Sequence, residues 1–144
     1  MNSEGNELEI EIYWKEKMKF LTLIRDFEPF LMDDKKKGDD SAPSPVEMFL
    51  GSIGSCLAMS FIYCTYLTGI QLNIEEFKVK IIGKLGRINN RLRLIKVNAE
   101  FTLKSDKNIT KIRKCFNKFQ PFCILSESIK VGIPFECNLK VLNE

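Results

Sequence analysis

Five cysteines and no histidine set the chemistry open to this 144-residue chain. Without histidine there are no Ser-His-Asp triads or Cys-His dyads, and most zinc and haem sites are also ruled out. What remains must rest on thiols, carboxylates and cations. The thiols are Cys56, Cys64, Cys115, Cys123 and Cys137. An odd count, with no Cys-x-x-Cys and no framework spacing, fits a reducing compartment. The polar start Met1-Asn2-Ser3-Glu4 carries no signal-peptide pattern, so the expected location is cytoplasmic.

The five thiols are not equivalent. Cys64, Cys115 and Cys137 fit the role of small inert hydrophobes. Cys115 is expected at the edge of a helix stripe, and Cys137 on the core face of a terminal strand with Phe135 and Leu139. Cys64 follows Cys56 by eight residues, about 12 Å along a helix, which bars a disulfide between them. Cys56 sits among Gly54, Ser55 and Ser60, where its sulfur can be approached. Cys123 follows Pro121 at a break between two helical segments, where the backbone can move. Chemistry that oxidises one thiol and resolves it with another needs a pair of this kind. Glu47 is read either as a first-turn acid facing the helix dipole or as a residue of the site. Phe119 and Phe122, beside Cys123, are candidates for an apolar substrate pocket.

The elements that must position these residues are legible from periodicity. Leu8, Ile10, Ile12 and Trp14 alternate with polar neighbours, predicting a half-buried strand, followed by strands over about 18–25 and 29–32. Residues 33–41 read as a mobile polar loop. Ser44 as N-cap, Pro45 in the first turn and Gly69 as stop delimit a helix over 45–68. Phe77, Val79 and Ile81 alternate with lysines, Asn89-Asn90 suits a hairpin tip, and a phase slip at Leu94-Ile95 predicts a bulge in the return strand. Ile109, Ile112, Phe116 and Phe119 keep helical spacing, a short helix is expected over 122–131, and Phe135 to Val141 alternate as a last strand. The order describes a single domain over 1–144, of α+β class with mainly antiparallel sheet.

From Met48 to Ile74 the chain carries no charge. Such a run is long enough to cross a bilayer. Three Gly, three Ser and two Thr, with acids rather than Lys or Arg at both flanks, speak for a protein core instead. An all-round apolar helix must be covered on every side, which one small sheet does not do, so a homodimer is expected. A net charge of +3 gives no basis for nucleic acid or an anionic membrane as partner.

Pro45-x-Glu47-x-Phe49-Leu50-Gly51-Ser52-Ile53-Gly54-Ser55-Cys56, followed later by Phe122-Cys123-Ile124-Leu125-Ser126, resembles the OsmC/Ohr family of osmotically inducible and organic hydroperoxide resistance proteins. The resemblance runs through the whole chain in order of elements. It implies an intertwined homodimer with sheets wrapped around long central helices, and a cofactor-free thiol peroxidase acting on organic hydroperoxides. In it Cys56 would be the peroxidatic thiol and Cys123 the resolving one, their disulfide being reduced by a cellular dithiol. Two positions depart from the family pattern: Val46 where an arginine-paired glutamate follows the proline, with the acid one place later at Glu47, and Ile124 where proline follows the second cysteine. Arg25 and Lys35 to Lys37 are the remaining cation candidates for activating Cys56. The alternative is an OsmC-like protein without turnover, binding an apolar ligand or serving as thiol carrier or redox sensor.

Overall fold

Alternation and turn chemistry build a small antiparallel sheet in the first fifty residues. The computed structural model describes residues 5–70, 77–105 and 108–142. They fall into two compact units, Met1–Leu50 and Gly51–Glu144. In the first unit, β1 (Glu11–Glu16), β2 (Lys19–Leu23) and β3 (Phe30–Met32) form one sheet in that order. The β1–β2 turn is allowed by Lys17 in left-handed geometry, φ 49°, and sets Trp14 opposite Phe20. The strands are shorter than their apolar patterns. Contrary to the half-buried expectation, every residue of β1 is exposed. It is an edge strand that pairs only with β2, and alternation records the polarity of its faces without recording what covers them. Arg25, expected mid-strand, lies beyond the end of β2 at φ 47°, with its guanidinium 4.7 Å above the Phe27 ring.

Residues 33–41 are tied rather than loose. The Asp33 carboxylate, 1% exposed, accepts bonds from the Asp34, Asp39 and Ser41 N–H groups at 2.7, 3.3 and 3.0 Å, and from the Ser41 hydroxyl at 2.7 Å. A side chain at Gly38 would collide with this carboxylate. Lys17 and Lys19 both reach Asp39, at 3.1 and 3.0 Å. The loop delivers the chain to α1 (Pro45–Leu67), whose start is closed by a capping box. The Ser44 N–H and hydroxyl donate to Glu47 Oε1 at 3.1 and 2.9 Å, and the Glu47 N–H donates back to Ser44 Oγ at 3.3 Å. The helix ends at Leu67, one residue short of the predicted Thr68, with Gly69 at φ 74° just beyond it.

The second unit packs helices on a hairpin. β4 (Phe77–Ile88) and β5 (Arg91–Leu103) pair antiparallel around Asn89 and Asn90, at φ 49° and 64°. Lys84 pairs with Lys96 and Leu85 with Leu94, so Ile95 is the extra residue of the predicted bulge. Ile53, Leu57 and Phe61 of α1 are buried together with Ile112, Cys115, Phe119 and Cys123, against Phe77, Ile81, Ala99 and Phe101 of the hairpin. Phe61 is the hub, its ring 5.5 Å from Phe77, 5.4 Å from Phe101 and 5.7 Å from Phe119. Gly54 lets the helix close on the strand: a Cβ there would stand 2.5 Å from Ile81 Cγ1.

α2 (Ile109–Lys118) buries Ile112 and Cys115, so Cys115 lies at the centre of its packed face and Phe116 toward the rim. The expected helix over 122–131 is divided: a 3-10 turn, Gln120–Phe122, then α3 (Ile124–Val131), with Cys123 extended between them. The predicted last strand is not formed. Residues 133–142 pair with no strand among the described residues, and Phe135, Leu139 and Val141 are exposed, as is Cys137. Met59, Tyr63, Tyr66 and Leu67 likewise leave one side of α1 uncovered. By length and composition α1 is also long and apolar enough to cross a membrane. Residues 71–74 of the charge-free run lie outside the described residues.

Phe61→Ala should cost about 3–5 kcal/mol, read from denaturant unfolding, because the hub is fully buried and its aromatic partners cannot collapse onto the space. Asp33 is held at about 2 against an ordinary 3.8, chiefly by the Ser41 N–H and hydroxyl. A lowered carboxyl stabilises above its unfolded value and loses that contribution as pH falls through the folded one. Acid titration should therefore show a loss between about pH 4 and 2 that Asp33→Asn, already weaker at pH 7, lacks.

Candidate active site

Cys56 and Cys123 are brought together by the two elements that carry them. Cys56 stands in the middle of α1, two residues past the close approach at Gly54. Cys123 is the N-cap of α3, extended at φ −81°, ψ 109°, directly after the 3-10 turn that holds Pro121. The Cys123 thiol donates to the Cys56 sulfur at 3.3 Å. Cys123 is fully buried, whereas Cys56 keeps partial access.

The start of α3 does the electrostatic work. Its first N–H groups bear on both sulfurs, as expected where a helix begins, without a cap hydrogen bond to the Cys123 side chain. Burial raises Cys56, the Leu125 N–H opposes this, and the neighbouring Cys123 raises it further, leaving Cys56 above its ordinary value. Burial also pushes the Cys123 thiol up, but the Ser126 hydroxyl and N–H, the Cys56 thiol and the Leu125 N–H together outweigh it and hold it below. The pair titrates as a unit, with Cys123 lowered and Cys56 raised. The Ser126 hydroxyl is buried without a partner while that thiol is neutral, which leaves it free to bond the thiolate. Ile124 also bears on Cys56 through its N–H, a donor that proline in this position would lack.

Two sequence expectations are revised by this geometry. The Ser60 hydroxyl donates to the Cys56 carbonyl oxygen at 2.9 Å, so the bonding groups around the sulfur come from α3. The main influences on the two sulfurs are burial, neutral N–H and O–H groups and the sulfurs themselves, while Arg25 stacks on Phe27. Glu47 holds the capping box, its carboxyl kept low chiefly by the Ser44 N–H and hydroxyl. Leu125 and Ser126 went unnoticed in the sequence because the helix start was placed at Phe122. Starting it after Cys123 makes that cysteine an N-cap and exposes the signal.

A cavity of about 450 Å³ lies between the end of β5 and α2, lined by Phe61, Phe101, Leu103, Ile112, Arg113 and Phe116 among others. Neither Phe119 nor Phe122 lines it: Phe119 is buried in the core and Phe122 points outward. The site itself is a closely spaced dithiol whose sulfurs need only close from 3.3 Å to about 2.05 Å to form a disulfide.

Ser126→Ala should shift the pH midpoint for alkylation of Cys123 upward, because the thiolate loses a hydroxyl donor. Mass-resolved iodoacetamide labelling across pH 5–10 measures this, with Cys137 as internal reference.

A protein-family model described as OsmC-like protein matches residues 38–138. Solved structures agree at the level of the fold. The OsmC-like protein of Mycoplasma pneumoniae superposes with a TM-score of 0.74 at 13% identity, covering 87% of this chain and 88% of that one. An OsmC-like protein of unknown function from Vibrio cholerae gives 0.67 at 14% identity, over 86% and 94%. The organic hydroperoxide resistance protein OhrB of Bacillus subtilis gives 0.61 at 11% identity, over 87% and 91%. No curated protein matches the sequence. With α+β elements in the same arrangement and a family match over most of its length, the chain belongs to the OsmC-like proteins.

Proposed function

We propose that this protein is a dithiol hydroperoxide reductase acting on organic hydroperoxides, and the observation that carries the reading is the 3.3 Å contact between Cys56 and Cys123. Cys123 is the lowered thiol but is closed to solvent, while Cys56 is reachable but raised. The two divide the task. The Cys123 thiolate takes the Cys56 proton as the Cys56 sulfur attacks the outer peroxide oxygen. The O–O bond breaks, the alkoxide leaves and is protonated to the alcohol, and Cys56 becomes a sulfenic acid. Cys123 then attacks the Cys56 sulfur, the S–O bond breaks, and hydroxide leaves as water. One hydroperoxide and two thiols yield one alcohol, one water and one disulfide, which a cellular dithiol reduces by exchange. The neighbouring sulfur serves here where a histidine would otherwise draw off the proton. Glu47 contributes by fixing the start of α1, as a positioning residue.

The working unit of this proposal is a homodimer in reducing cytoplasm. Uncovered apolar side chains support it: Met59, Tyr63 and Tyr66 on α1, Ile12 and Trp14 on β1, and the unpaired segment from Phe135 to Leu142. A second reading, an apolar-ligand binder without turnover, is favoured by the aromatic cavity, which neither Cys56 nor Cys123 lines.

A coupled assay with cumene hydroperoxide and dithiothreitol separates the two. Turnover should be lost in Cys56→Ser and kept in Cys64→Ser and Cys137→Ser. One equivalent of oxidant should give a Cys56–Cys123 cross-link in peptide mass maps. Full turnover by Cys56→Ser would end the peroxidase reading. Light scattering should return twice the chain mass of 16.7 kDa, and a monomer would remove the dimer from the proposal.

A further inference from the structure

The four cysteines of α1 and the α2–α3 segment form two rungs. Cys56 and Cys64 are eight residues apart in one element, Cys115 and Cys123 eight apart in the other, and the two segments run past each other in opposite directions. Cys56 meets Cys123, and Thr68 links the other two, its hydroxyl donating to the Cys64 carbonyl oxygen at 3.2 Å while Cys115 bears on the Cys64 thiol. Cys115 is 2% exposed, part of the core that Cys64 packs against, and the Thr68 hydroxyl stands 3.6 Å from its sulfur. Cys64 keeps partial access to solvent. The rungs stand about 12 Å apart along α1, too far for direct exchange between them.

We propose that Cys64 and Cys115 are a second oxidisable dithiol, which closes to a disulfide between α1 and α2. A hydroperoxide is attacked by the Cys64 sulfur, its O–O bond breaks and the alcohol leaves. The sulfenic acid on Cys64 is then displaced by Cys115, with loss of water. Two thiols and one hydroperoxide again give one disulfide, one alcohol and one water, and a dithiol reverses it. This rung differs from the first in what surrounds it. Among the described residues no helix begins beside Cys64, and burial, together with Cys115, pushes its thiol up to about 11, against the pull of Lys118. It therefore holds about a hundredfold less thiolate than a thiol at the ordinary 9.0, and reacts after the first rung. The product is a bond that ties α2 to α1 once peroxide is in excess. This inference does not require catalytic turnover at Cys56.

The test is a titration of the reduced, full-length protein with cumene hydroperoxide, counting thiols after denaturation. The count should fall from five to three and then, more slowly, to one, leaving Cys137, with a Cys64–Cys115 cross-link in the peptide map. In the Cys56→Ser/Cys123→Ser double variant the count should fall from three to one with the same cross-link. That result would uphold the second rung even if the wild type showed no peroxide turnover. A count that stays at three in both proteins under excess oxidant overturns the proposal, as does recovery of Cys64 as a sulfinic acid or joined to Cys137. Cys115→Ser should retain the first disulfide and leave Cys64 unable to cross-link.

Discussion

Two sulfurs in contact, one of them fully buried, impose a condition on everything around them. A thiolate taken out of water must find donors, and in a chain without histidine those donors are backbone N–H groups and one serine hydroxyl. The break at Pro121 to Cys123 satisfies this condition. It ends one helical run and starts another at the sulfur, so α3 presents its unbonded amides where the charge forms. The remaining parts hold that junction in place: Phe61 and Phe119 fill the space beneath it, and the β4–β5 hairpin supplies the wall.

Among the described residues the main influences on the pair include no cation, and this suits the same arrangement. A cation lowers a thiol through long-range attraction and leaves a charge to be solvated when the thiolate is consumed. Amide donors belong to a helix that is satisfied before and after the reaction, so little must rearrange as the charge moves. Ile124 in place of the family's proline adds to this donor set, and the shift of the acid from position 46 to 47 frees it for the helix cap. The two departures from the family pattern are thus consistent with one another: both suit a site that relies on helix geometry more than on ion pairs.

What could be read in advance was local. The Asn89-Asn90 tip, the Ile95 bulge, the Ser44 cap and the Gly69 stop each depend on a few neighbouring residues, and each is where the sequence placed it. What could not be read depended on partners distant in the chain. Alternation from Ile10 to Trp14 and from Phe135 to Val141 states that a strand has two kinds of face, and among the described residues both segments remain exposed. Cys115 was placed at the edge of its stripe because spacing fixes angles within a helix but not how the helix rolls when it docks. Spacing excluded Cys56–Cys64, yet it was silent on which distant segment would lie against Cys64.

The missing Cβ at Gly54 has a mechanical meaning. With the helix backbone pressed on Ile81, α1 can neither roll nor slide at this point without driving into the strand. Cys56, two residues on, is therefore the fixed jaw of a clamp. The sulfurs must still draw together to bond, and then separate to admit a reductant. That travel falls to the other jaw, the short non-helical joint at Cys123, where an extended residue between a 3-10 turn and α3 can swing without breaking either. Any residue that stiffens the joint would slow the opening and closing of the pair while leaving its resting geometry unchanged.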